Sequence, residues 1–164
     1  MRNHYNYVFD NITNTYNFTT KNNILYHVAF VVDETFSAIS NEEIPNVFQL
    51  IIEKTSDGLK PYDVKVSRTI ENIVERFFHN VLNSMIYVCS DDDNKANTRF
   101  KVFDRWHQKS EYKAFIVKII IQYRISETER QKIYTSFMFH QDNPSCRKLA
   151  EIYNLIEETL NEEK

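Results

Sequence analysis

Apolar and polar positions alternate by twos through the first third of the chain. Tyr5, Tyr7 and Phe9, then Tyr16 and Phe18, then Tyr26, Val28, Phe30 and Val32 share one face of extended segments. A period of two is that of a half-buried strand, so three strands are predicted. The breaks at 11–14 and 21–23 are polar, rich in Asn and of hairpin length, and Asn tolerates the left-handed backbone that tight turns require. After a looser stretch at 33–46, residues 47–53 read as a fourth strand, closed by the turn chemistry of Ser56, Asp57 and Gly58.

From Asp63 the period changes to three and four, with Val66, Ile70, Ile73, Val74, Phe77, Val81 and Leu82 on one stripe. This predicts a helix to about Leu82 with Asp63 as its N-cap. Met85, Ile86, Tyr87, Val88 and Cys89 form an unbroken apolar run, the pattern of a central strand covered on both faces. A second helix is predicted with Ala96, Phe100, Phe103, Trp106 and His107 on its stripe. Residues 112–123 and 133–140 read as a hairpin across a polar turn at 125–131. In the last segment Asn143 is a cap and Pro144 suits the first helical position, ahead of a stripe of Leu149, Ile152, Tyr153, Ile156 and Leu160. The expectation is an α+β fold in a single domain over 1–164. It has a mainly antiparallel sheet, about three helices and the order ββββαβαββα.

Composition narrows the chemistry. The 164 residues include one glycine, Gly58, so the glycine-rich phosphate loops of P-loop and dinucleotide-binding proteins are absent, as is the GxSxG nucleophile elbow. Two cysteines, Cys89 and Cys146, make no disulfide framework and no CxxC zinc pair, and the histidines lack HExxH spacing. No metal and no cofactor is expected. A net charge of −3 excludes the basic overall surface of a tight non-specific nucleic-acid binder but leaves a local patch open. The most apolar run, 114–121, is broken by Lys118 and too short to span a bilayer, and no signal-peptide pattern opens the chain. A cytoplasmic protein with no membrane partner is the expectation.

Chemistry-bearing residues concentrate in one segment. Asp91, Asp92 and Asp93 follow the central strand, and the next helix carries Arg99, Arg105, Trp106 and His107. Paired carboxylates take hard cations, a guanidinium steadies phosphate, and an imidazole is a general base near neutral pH. Helix capping and the macrodipole account equally well for acids at a helix N-terminus. Cys89, inside an apolar strand, reads as a small buried hydrophobe, and Cys146 in the first turn of the last helix as the more reactive thiol. The tyrosines and phenylalanines of the first strands invite comparison with base-stacking sheets, yet Arg2 and Lys21 are almost the only nearby cations. Core packing or a protein interface is the expected use of those rings.

The run Ile86, Tyr87, Val88 and Cys89, the acidic run, Arg99, Phe103, Arg105 and Trp106 resemble a family of small uncharacterised Bacteroidetes proteins. Tyr5, Phe9, Tyr16, Phe18 and Tyr26, the helix from Thr69 and Ile70 to Phe77 and Phe78, and the segment His140, Asp142, Asn143 and Pro144 extend the resemblance over most of the chain. Asn94 stands where that family often has Gly. The resemblance implies a bacterial, intracellular setting and a domain of unknown function. The leading expectation is a non-enzymatic binding module whose partner is another protein or a second copy, with nucleic acid left open. The alternative is a phosphodiester-acting enzyme, such as an RNA-cutting toxin of a bacterial defence or toxin–antitoxin pair, using the acids with Arg99 and His107.

Overall fold

The computed structural model describes residues 3–55, 63–89, 96–124 and 132–162. Seven strands, β1 Val8–Asp10, β2 Thr15–Thr19, β3 Leu25–Val32, β4 Val47–Lys54, β5 Ser84–Cys89, β6 Ile116–Arg124 and β7 Lys132–His140, build one sheet in the order β1-β2-β3-β4-β5-β7-β6. Four helices accompany it: α1 Thr35–Ser40, α2 Val64–Phe77, α3 Ala96–Lys109 and α4 Cys146–Glu162. The fold is α+β. All neighbouring strands are antiparallel except β4 and β5, whose parallel pairing requires the crossover that α2 supplies.

The meander is held by asparagines. Asn14 at φ 53° and Asn23 at φ 57° take the left-handed conformation in the two predicted hairpin turns, where a β-branched residue would clash. Asp10 adds an Asx bond, its Oδ1 accepting from the Ile12 amide at 2.8 Å. The turn expected at 56–58 and the hairpin turn at 125–131 lie outside the described residues.

One face of the sheet packs under α2 and α3, the other under α1 and α4. The first core joins Phe18, Val28 and Leu50 to Ile70, Ile73, Val74 and Phe100; the second joins Val47, Phe137 and Phe139 to Phe36, Leu149, Ile152 and Tyr153. Strand β5 is central, as its unbroken apolar run predicts. It pairs with β4 and β7, and sends Met85, Tyr87 and Cys89 into the first core and Ile86 into the second.

The meander's rings, apart from the exposed Phe9, pack in or against the first core. Tyr5 stacks on Phe18, Phe18 on Tyr26 at 5.0 Å, and Phe30 on Phe77 of α2 at 4.0 Å. Such pairs contribute about 0.5–1.5 kcal/mol each beyond the area they bury.

Several boundaries differ from the sequence-based expectation. Tyr5 and Tyr7 precede β1 rather than belonging to it, because the Tyr5 amide donates to Thr69 Oγ1 and Tyr7 OH to Asn72 Oδ1, which ties this segment to α2 instead of β2. Helix α2 stops at Phe77, not near Leu82: Asn83 Nδ2 caps the Phe77 carbonyl, Asn80 Oδ1 accepts from the Leu82 amide, and Val81 and Leu82 are exposed. The stretch at 33–46 contains α1, so the helices number four among the described residues rather than about three. The order is therefore βββαβαβαββα. Residues 112–114 belong to a 3₁₀ turn, Glu111–Ala114, and β6 begins only at Ile116.

Candidate functional site

The segment singled out by its chemistry becomes the loop after β5 and the helix α3, which lies across β5 and β7. Asp91, Asp92 and Asp93 lie outside the described residues. Arg99 is exposed in the first turn of α3, and its charge reaches both Tyr87 and Cys89. Arg105 faces solvent. Trp106 is half-buried against Phe103, with ring centroids 4.5 Å apart. His107 is buried, and since a carbonyl only accepts, its Nε2 carries the proton it donates to Ile116 O at 3.0 Å. At 100° per residue, positions 105 and 107 lie on opposite sides of a helix. The described candidates therefore divide between an inward pair, Trp106 and His107, and outward guanidinium groups.

Burial, joined by the Lys118 and Lys113 charges, holds the His107 imidazole below its ordinary pKa, so it is neutral at pH 7. Burial pushes the Cys89 thiol up, and Arg99 and Lys118 only partly offset it. The Tyr87 hydroxyl, hydrogen-bonded to Cys89 and buried, is pushed up as well. A neutral imidazole bonded to the main chain and a protonated thiol serve packing more readily than proton or acyl transfer.

A charged pair missed by the sequence reading lies beside them. Lys118 of β6 turns under α3, its side chain 4% exposed, and Nζ donates to Asp104 Oδ1 at 3.0 Å while standing 5.4 Å from the Phe100 ring centroid. The signal was the single lysine in the apolar run 114–121. Ser136 of β7 has a buried hydroxyl without a hydrogen-bond partner among the described residues.

Between α2 and α3 is a cleft of about 20 Å³, room for about one water, where Glu71, Trp106 and His107 meet Met85 and Met138. Burial raises the Glu71 carboxyl, opposed by the Arg68 and Lys109 charges. Two larger clefts lie away from these residues: about 250 Å³ beside Asn46, Asn143 and Lys148, and a more open one of about 310 Å³ beside Tyr7, Arg76 and His79. Among the described residues no three His, Cys, Asp or Glu side chains group as a metal site, and no helix is long and apolar enough to cross a membrane.

The outward face of α3 is uniformly polar and mostly cationic. Lys101, Arg105 and Lys109 follow one another at successive turns, all exposed, and none is in an ion pair with a described residue. The helix's one acid, Asp104, is taken by Lys118. Across the sheet, the described side chains of α4 include Glu151, Glu157 and Glu158 against Arg147 and Lys148, so this helix is the more acidic of the two.

These features define an α+β protein with a seven-stranded, mostly antiparallel sheet and a basic helix on one face. Residues 62–157, well over half of the chain, match the model of DUF6169, a family of unknown function, and the chain belongs to that family. The match begins just before α2 and takes in β5, α3, β6, β7 and most of α4, whereas β1 to β4 precede it. No curated protein and no solved structure matches the chain.

Proposed function

We propose that the chain is a non-enzymatic binding module of a bacterial cytoplasm that presents the outer face of α3 to a polyanionic partner. The observation that carries this reading is the row Lys101, Arg105 and Lys109, exposed and in no ion pair with a described residue, although the Lys109 charge reaches Glu71, on a chain of net charge −3. Like charges at successive turns repel one another, and an anion laid along them relieves that repulsion. His107 and Cys89 support the same reading, since burial and hydrogen bonding commit both to the interior.

The test is a charge reversal. Lys101→Glu, Arg105→Glu and Lys109→Glu together leave the core untouched, so circular dichroism is expected to match the wild type. Binding of poly-L-glutamate, poly(U) RNA or both is expected to vanish. Binding that survives the reversal, or a wild type that binds neither polymer at low salt, removes the proposal.

The second reading, an RNA-cutting enzyme, has one observation in its favour: the charge of Arg99 reaches Cys89, two residues before Asp91 in the chain. It requires Asp92→Ala and Arg99→Ala to keep the fold and abolish RNA cleavage or host toxicity. Unchanged cleavage in both variants eliminates it.

A further inference from the structure

We infer that the polyanion is a nucleic-acid strand held by its phosphates along α3; this rests on the reading of α3 as the contact surface. The exposed residues of α3 beyond Arg99 are Asn97, Thr98, Lys101, Arg105, Gln108 and Lys109. No large hydrophobic side chain is exposed on this helix, although Val31, Val117, Ile120 and Leu155 are exposed elsewhere. Interfaces between proteins are organised around buried aromatic or aliphatic anchors and are depleted in Lys at the centre. Phosphate oxygens are bound by Lys, Arg, Asn, Gln and Thr, the residue types this face displays. The face lacks what a protein partner needs and has what a phosphodiester backbone needs.

The spacing agrees. Four residues of helix advance about 6 Å, so the three cations form a row about 12 Å long that drifts slowly round the helix. Lys113 is exposed in the 3₁₀ turn past the end of α3, two residues after the exposed Glu111. Arg68 of α2 is exposed on the same side of the sheet, and its charge meets that of Lys109 at Glu71.

Among the described residues the meander rings offer no stacking platform beside the row, because Tyr16, Phe18, Tyr26 and Phe30 pack against the core under α2. Recognition is therefore of phosphate, indifferent to base sequence and steeply dependent on salt.

The test is fluorescence anisotropy of labelled poly(U) RNA with the full chain over a range of NaCl. Poly-L-glutamate serves as the competitor without phosphate. Three phosphate contacts give a plot of log affinity against log salt with a slope of about −2 for a single strand. Each of Lys101→Gln, Arg105→Gln and Lys109→Gln is expected to reduce that slope by about 0.7, and the triple variant to lose about fifty-fold in affinity near 0.15 M salt. Glu151→Gln with Glu158→Gln on α4 is the control, expected to bind as the wild type does.

A salt-independent affinity, or a slope unmoved by the triple variant, overturns the inference. If poly-L-glutamate binds as tightly as RNA and depends on the same three residues, nucleic acid is wrong while the α3 surface stands. If neither polymer binds at low salt, both fail. Self-association that the α4 control abolishes identifies a second copy as the occupant and overturns nucleic acid.

Discussion

Lys118, near the start of the edge strand β6, points inward and bonds Asp104 of α3 at 3.0 Å. A charge turned inward on an edge strand is a known safeguard against edge-to-edge pairing, and β6 needs one. Its sequence, Ile-Val-Lys-Ile-Ile-Ile, is otherwise an apolar, strongly β-forming run at the border of the sheet. A slip of one residue would carry Lys118 to the α4 side, away from its carboxylate, so the same pair also fixes the β6–β7 register.

The two halves of this pair are expected to respond differently. Asp104→Ala leaves a buried ammonium without its counter-ion and is expected to cost about 1–3 kcal/mol, held below the value for a fully buried pair because Asp104 is 37% exposed. Lys118→Met replaces the charge with an apolar side chain of similar length and is expected to change stability by less than about 1 kcal/mol, while light scattering shows concentration-dependent association. Urea denaturation of the two variants measures the first difference. A monomeric Lys118→Met chain at high concentration would remove the safeguard role.

Glu71 and His107 share one cleft and impose opposite pH slopes on stability. His107 is held below its ordinary 6.5, so the unfolded chain takes up the proton first. The stabilisation from its neutral form is complete above that value and is lost as pH falls below it. Glu71 is held above its ordinary 4.5, so its burial penalty is present at neutral pH and is relieved as pH falls through the raised pKa toward 4.5. Glu71→Gln is therefore expected to stabilise the protein at pH 7, with a gain that closes near pH 4.5. His107→Gln, which can still donate to the Ile116 carbonyl, is expected to flatten the loss of stability between pH 7 and 5.5. Denaturation midpoints across that range decide both, and parallel curves for variant and wild type would refute the assignment.

Where one physical signal dominated, sequence and structure agree. Strand β5 was legible because burial on both faces leaves an uninterrupted apolar run, although Val88 near its end is exposed, and α2 began at Asp63 because its cap is local chemistry. Helix α1 was not legible: six residues with Phe36 alone buried among them carry no periodicity. The extension of α2 to Leu82 failed because Val81 and Leu82 fit the stripe while asparagine bonds at 80 and 83 stop the helix. In the candidate segment, adjacency along the chain suggested convergence, but helical rotation sends Arg105 and His107 apart. The Lys118–Asp104 pair joins residues on different elements, so the lone lysine of the apolar run marked one partner and nothing local named the other.

Asp63 does two jobs that a double-mutant cycle separates. Its Oδ1 accepts from the Lys65 amide at 2.9 Å as the α2 cap, and its Oδ2 accepts from Tyr5 OH at 2.6 Å, fastening the N-terminal segment. The Tyr5 bond, with the cap and the Lys21 and Lys65 charges, holds this carboxyl below its ordinary value. The stabilisation is therefore present above about 3.8 and is lost as pH falls through the lowered pKa. Asp63→Ala is expected to cost about 1–2 kcal/mol and Tyr5→Phe about 0.5–1.5. Losses that simply add would show that the two bonds act independently; coupling of about 0.5 kcal/mol or more is the expected result.

Asn143, only 3% exposed, joins two parts of the fold. Nδ2 donates to the Leu82 carbonyl at 3.1 Å, Oδ1 accepts from the Ser145 amide at 2.9 Å, and the Asn143 carbonyl accepts from Cys146. One side chain thus joins the approach to β5 to the start of α4, along one wall of the 250 Å³ cleft. Asn143→Ala leaves the part-buried Leu82 carbonyl and Ser145 amide without their partner and is expected to cost about 1–3 kcal/mol. Asn143→Asp is nearly isosteric and keeps an acceptor for Ser145, but it sets a carboxylate against the Leu82 carbonyl where a donor stood. Its penalty is expected to grow as pH rises and the new carboxyl ionises, whereas the Ala penalty stays flat. Chemical denaturation at pH 4 and pH 7 distinguishes them, and an Asp variant as stable as the wild type at pH 7 would show that the bond to Leu82 contributes nothing.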